Sequence, residues 1–163
     1  MYQYDVEMFM GACQRKGLAM RTMTSYEQTL RLLGLYLGER KIERTEDINR
    51  THIEGYVDYL QKRGKYTVCA VEDTASPNYP ERRTDYARKI SPVTINNYLR
   101  NLKAFFNWCV DEELIQKSPV EKVHFVKTER KPLEFISDAN FKRLLACLDI
   151  SKFSEYRDSV IIQ

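Results

Sequence analysis

The chain has 163 residues, 43% of them apolar, enough to bury a core as one domain or as one domain and a fragment. Its 26 basic and 23 acidic residues leave a net charge of +3, too small to hold nucleic acid by bulk attraction alone. Cys13, Cys69, Cys109 and Cys147 form no C-x-x-C pair and His52 and His124 stand alone, which argues against a metal site, a disulfide framework or a cofactor. Apolar runs of only a handful of residues argue against a signal peptide or membrane span, and reduced cysteines point to the cytoplasm.

Apolar spacing predicts helices almost throughout. The first runs from about Tyr4 to Lys16, with Val6, Phe9, Met10 and Cys13 inward and Gly17 as a stop. The second spans about Met20 to Gly38 and buries Tyr26, Leu30, Leu33 and Leu37. Ala19 caps it poorly, so Thr24 with Glu27 offers an alternative capping box. The third starts near Thr51, boxed by Glu54, buries Ile53, Tyr56 and Leu60, and stops at Gly64. Residues 65–90 break the rhythm: "KYTVCAV" alternates, "EDTASPNYP" reads as a turn, and a small β-hairpin or flap is expected.

The fourth helix opens at "SPVTINNYLRNLKAFFNWCV", with Ser91 as N-cap and Pro92 at the first turn, and is expected to reach Glu113. At about 100° per residue, Ile95, Leu99, Leu102, Phe106 and Cys109 share one face, bordered by Tyr98 and Phe105. Asn96, Arg100, Lys103 and Asn107 fall on a separate polar ribbon. The second helix echoes the fourth, Thr22 matching Thr94, Tyr26 matching Tyr98 and Leu30 matching Leu102. Its Thr24, Gln28 and Arg31 then match Asn96, Arg100 and Lys103. "QRKG" and "QKRG" close the helices before each, so the domain reads as two helical hairpins of one design, the second carrying the insertion. Polar ribbons on helices are common solvated faces, and on the residues alone a DNA surface and a plain surface stand level.

"GLAMRTMTSYEQTLRLLGLYL" and "ISPVTINNYLRNLKAFFNWCVDEELIQKSPV" together resemble the core-binding domain of tyrosine recombinases, the phage-integrase family. "PLEFISDANFKRLLACLDISKFSEYRDSVIIQ" looks like the opening of that family's catalytic domain, while Ala19-Met20 and Ser118 depart from the usual Ser-Pro and Asn. The resemblance implies an all-α, SAM-like four-helix bundle over residues 1–117 with the 65–90 insertion. An interdomain linker at 118–132 and a truncated helical start of the catalytic domain at 133–163 would follow.

It further implies double-stranded DNA as partner, met by the second and fourth helices in the major groove, with other recombinase subunits joining in the full protein. The DNA-facing residues would be Thr24, Gln28 and Arg31 on one helix and Thr94, Asn96, Asn97, Arg100, Lys103 and Asn107 on the other. Arg82 and Arg83 of the insertion and Lys127, Arg130 and Lys131 of the linker would add phosphate contacts. Neither a membrane nor a small-molecule substrate is implied. The role implied is integration or recombination of mobile-element DNA through a tyrosine nucleophile. The family's "G-x-R-x-x-E" motif is not met in these residues, so this chain is expected to be catalytically inactive, with Tyr156 a helical surface or packing residue. A protein-interaction module or a helical transcription regulator is the alternative.

Overall fold

In the computed structural model, residues 1–69, 79–129 and 135–162 are described. Helix α1 spans Tyr2–Arg15, α2 Met20–Gly38, α3 Arg50–Lys62, α4 Pro92–Asp111, α5 Asp138–Ala146 and α6 Phe153–Ile162. Short 3-10 turns lie at Thr45–Asp47 and Pro80–Arg82. The architecture is all-α, and among the described residues there is no strand.

The first unit, Met1–Thr128, is a four-helix bundle. α1 packs on α2, α3 packs on α4, and α4 also meets α1 and α2. Helix α1 starts two residues earlier than expected because Tyr2 is anchored at both ends. Its N–H donates to Glu43 O at 2.7 Å and its hydroxyl to Leu30 O at 2.8 Å. Phe105, placed at the border by helical arithmetic, is fully buried because α1 lies over it. Its ring centroid is 5.8 Å from that of Tyr2 and 5.5 Å from that of Phe9, both edge-on, and Phe9 is also 5.5 Å from Trp108. Burying such a side chain contributes about 1.5–3 kcal/mol. Ile95, Leu99, Leu102, Phe106 and Cys109 complete the α4 face, and burial pushes the Cys109 thiol up to about 12, with the Asp5 charge adding to the rise.

Three helix ends use the same device. After α1, Gly17 takes φ 69°, with Gly17 N–H on Gln14 O and Leu18 N–H on Cys13 O. After α2, Lys41 takes φ 59°, and after α4, Glu113 takes φ 58°, each followed by the same pair of bonds back to the last turn. Glu113 therefore closes α4 instead of extending it. Helix α3 begins at Asn49, not Thr51. Asn49 Oδ1 accepts from His52 N–H, and Asn49 N–H donates to His52 Nδ1. Glu54, expected in the capping box, pairs with Arg50 at 2.7 Å instead.

Gly64 does not stop α3 through a left-handed turn. It is needed for a close approach, since a Cβ there would lie 2.6 Å from Ala87 Cα and O. Around it the base of the insertion closes with an isolated antiparallel bridge, Gly64 to Lys89. Lys65 N–H donates to Arg88 O, and Ala87 N–H donates to Lys65 O. Residues 65–68 are turn and bend, not the extended strand that alternation suggested, and Tyr66 at φ 62° breaks the period. The rest of the expected hairpin, residues 70–78, lies outside the described residues.

The expected linker also starts later than residue 118. Pro119, Val120 and Val123 are buried, and residues up to Thr128 belong to the bundle. Unit two, Glu129–Gln163, holds α5, capped by Ser137 Oγ on Asn140 N–H, and α6. Among its described residues only Ser159 is buried.

Candidate nucleic-acid interface

Helices α2 and α4 are joined by a polar clasp. Asn101 Nδ2 lies 2.8 Å from Thr29 Oγ1, 3.0 Å from Ser25 Oγ and 3.2 Å from Ser25 O, three acceptors for two N–H groups. Thr29 is itself buried and donates to Ser25 O. Going around α4 from Asn101, Phe105 and most of the core face lie about 40° or more to one side and Asn97 about 40° to the other, with Arg100 and Asn107 further round. Two turns on, the buried Trp108 falls close to the Asn101 line. On α2, Thr29 and Leu33 turn to the core side of Ser25, while Gln28 and Thr24 turn away. The core is common to both helices, so the two outward faces lie on the same side of the clasp.

On α4 this face is organised by a segment that returns along it. Beyond Val120 and Val123 the chain runs back toward the start of α4. Asn96 Nδ2 donates to Val126 O at 2.9 Å, and Val126 N–H donates to Asn96 Oδ1 at 2.8 Å. Asn96 is only 6% exposed, so its assignment to DNA is corrected: both polar ends are spent on backbone. One residue earlier, Phe125 stays 46% exposed. Lys103 Nζ lies 4.5 Å and the Arg100 guanidinium carbon 5.5 Å from its ring centroid. Arg100 Nη1 also donates to Asn97 Oδ1 at 2.6 Å. Asn97, Arg100, Lys103 and Phe125 thus form one surface group. Asn107 is exposed further along α4 and Lys127 on the return segment.

Other expected positions are less free. Thr94 has its hydroxyl 2.9 Å from Ser91 Oγ at the N-cap, and Ser91 Oγ accepts Thr94 N–H. Thr24 bonds back to Met20 O. Arg31 is paired with Glu27 at 2.8 Å, which offsets its charge locally, while Gln28 is exposed. Arg82 lies 4.4 Å over Tyr79. Arg83 lies 4.3 Å over Tyr66 and 3.2 Å from Asp85, which also faces Lys65 at 3.6 Å. Desolvation raises the Asp85 carboxyl, but the hydrogen bond and charge of Arg83 and the charge of Lys65 hold it below its ordinary range. Arg83 therefore serves the base of the insertion, while Arg82 lies on Tyr79. Arg130 and Lys131 lie outside the described residues.

Asn101 and Phe125 were not anticipated. The signal for Phe125 was the three-residue spacing of Val120, Val123 and Val126, which a plain tether does not need. Among the described residues no three potential metal-ligating side chains gather, and no helix is long and apolar enough to cross a membrane.

Comparison with known proteins is consistent with this arrangement. The chain is 27% identical over 78 residues to tyrosine recombinase XerC of Bacillus subtilis (strain 168), covering 48% of this chain and 26% of the relative. It is 22% identical over 148 residues to tyrosine recombinase XerD of Staphylococcus haemolyticus (strain JCSC1435), covering 91% of this chain and 42% of the relative. The chain spans less than half the length of either. No solved structure matches. Residues 6–127, nearly the whole bundle, match the phage integrase SAM-like domain, and the chain belongs to that family.

Proposed function

We propose that the bundle grips duplex DNA with the outward face of α4, aided by α2, as the DNA-holding part of a site-specific recombinase. The observation that carries this reading is the group Asn97, Arg100, Lys103 and Phe125, turned away from the core in a chain of this family. Chemically the group suits DNA. A helix fits the major groove, which is roughly 12 Å wide, and Arg and Asn can make bidentate contacts to guanine and adenine edges. Lysine neutralises a phosphate and releases its counterion. Lys103 is the phosphate contact in this reading, Arg100 and Asn97 read base edges, and Lys127 adds a second phosphate contact. The recombination served is the movement of mobile DNA, in the cytoplasm.

With a net charge of only +3, binding depends on local placement. Non-specific affinity on the order of 10⁻⁴ to 10⁻⁶ M at physiological salt is expected. A fluorescence-anisotropy titration at several salt concentrations tests the reading. Lys103→Ala should lower the salt slope by about one and weaken all sequences alike. Arg100→Ala should cost roughly 1–3 kcal/mol, chiefly on the cognate site. Unchanged binding by a folded Arg100→Ala/Lys103→Ala variant would overturn the reading.

A further inference from the structure

Asn96 sits in the second turn of α4 and is almost wholly buried. Its amide makes two reciprocal bonds to a single residue, Val126, 30 positions later. A side-chain amide that donates to a residue's C=O while accepting its N–H acts as one rung of a ladder. It fixes both the position and the direction of the backbone it holds. Three consequences converge on the surface group. Phe125 is held with its ring against Lys103 and Arg100. Two cations that share one ring lose their freedom to wander, so less ordering is left to be done on binding. Lys127, the next residue along, is exposed directly after the clamped Val126.

We propose that Asn96 is a positioning residue for the nucleic-acid interface. By clamping Val126 it docks residues 123–128 on α4 and so presets Arg100, Lys103 and Lys127 as one cationic array. This rests on the DNA-binding reading, but the clamp itself can be measured without DNA. Val123 is buried and Val126 packs half-buried against the core, but His124, Phe125, Lys127 and Thr128 are exposed, so the two Asn96 bonds are the polar hold that fixes where Val126 sits. Asn96 therefore governs a local equilibrium, docked against released, at the edge of the bundle's core.

The experiment uses the full 163-residue chain and two readouts. In Asn96→Ala, hydrogen exchange at the Val126 amide and tryptic cleavage after Lys127 should both accelerate roughly ten- to thirtyfold, the equivalent of two net hydrogen bonds. Amides of α2 and the core of α4 should keep their protection. On a duplex probe of the cognate site, anisotropy should then show weaker binding and a salt slope lowered by about one, because Lys127 no longer holds its place. Should Asn96→Ala not fold, Asn96→Leu keeps a side chain of similar size without adding charge, loses both bonds to Val126, and carries the same expectation.

Unchanged exchange and cleavage in a folded variant would overturn the clamp. Faster exchange with an unchanged affinity and salt slope would overturn the positioning role, provided Arg100→Ala/Lys103→Ala still weakens binding. If that double variant also binds normally, the DNA reading has failed, and the positioning role with it.

Discussion

Glu113 holds a conformation that an L-residue enters at a cost of about 1–2 kcal/mol. It stays there because the turn it makes satisfies two α4 carbonyls, those of Val110 and Cys109. Glycine reaches the same φ without the Cβ clash but loses more entropy on folding. Glu113→Gly should therefore raise the stability of the bundle by a net of a few tenths to 1 kcal/mol. Chemical denaturation with an unchanged slope is the check, and a lower midpoint would contradict the account. The side chain is exposed, so no packing is lost.

Gly64 is a different case, because its constraint comes from a neighbouring element. Helix α3 and the end of the insertion approach so closely there that one added carbon meets the Ala87 backbone. Gly64→Ala should push the two strands of chain apart, costing roughly 1–3 kcal/mol. The Ala87 amide, bonded to Lys65 O, should lose exchange protection first, ahead of α2 and α4. Retained protection at Ala87 would refute this.

Element by element, what could be read from sequence was whatever is decided locally. The bounds of α2, the Ser91-Pro92 start of α4 and the Gly17 stop follow from residues touching their own neighbours. The start of α3 was misread because Asn49 competes with Thr51 and wins through His52. Gly64 was read as a helix stop because its true partner, Ala87, is 23 positions away. Asn96 was read as part of the ribbon for the same reason: angle on a helix says which way a side chain leaves, not what covers it. Arg100 and Lys103 could be placed from that angle, but Phe125 beneath them could not.

On the scale of the whole molecule the two units differ in what holds them. The bundle has a continuous core from Tyr2 to Val123, whereas the second unit leaves Phe135, Leu144, Phe153 and Val160 more than half exposed. Helices of 9 and 10 residues are marginal in water without a packed face. Amides of residues 138–162 should therefore exchange orders of magnitude faster than those of α2 and α4, and equal protection in a dilute monomer would contradict this. Within the bundle, the clasp joins Thr29 to Asn101, residues 72 positions apart. Lys41 and Glu113, the left-handed residues that close α2 and α4, are separated by the same interval. Counterpart positions of two like hairpins therefore meet across the clasp. The α1–α2 and α3–α4 hairpins are joined there through one shared seam, and a substitution at Thr29 or at Asn101 loosens the same contact from either side.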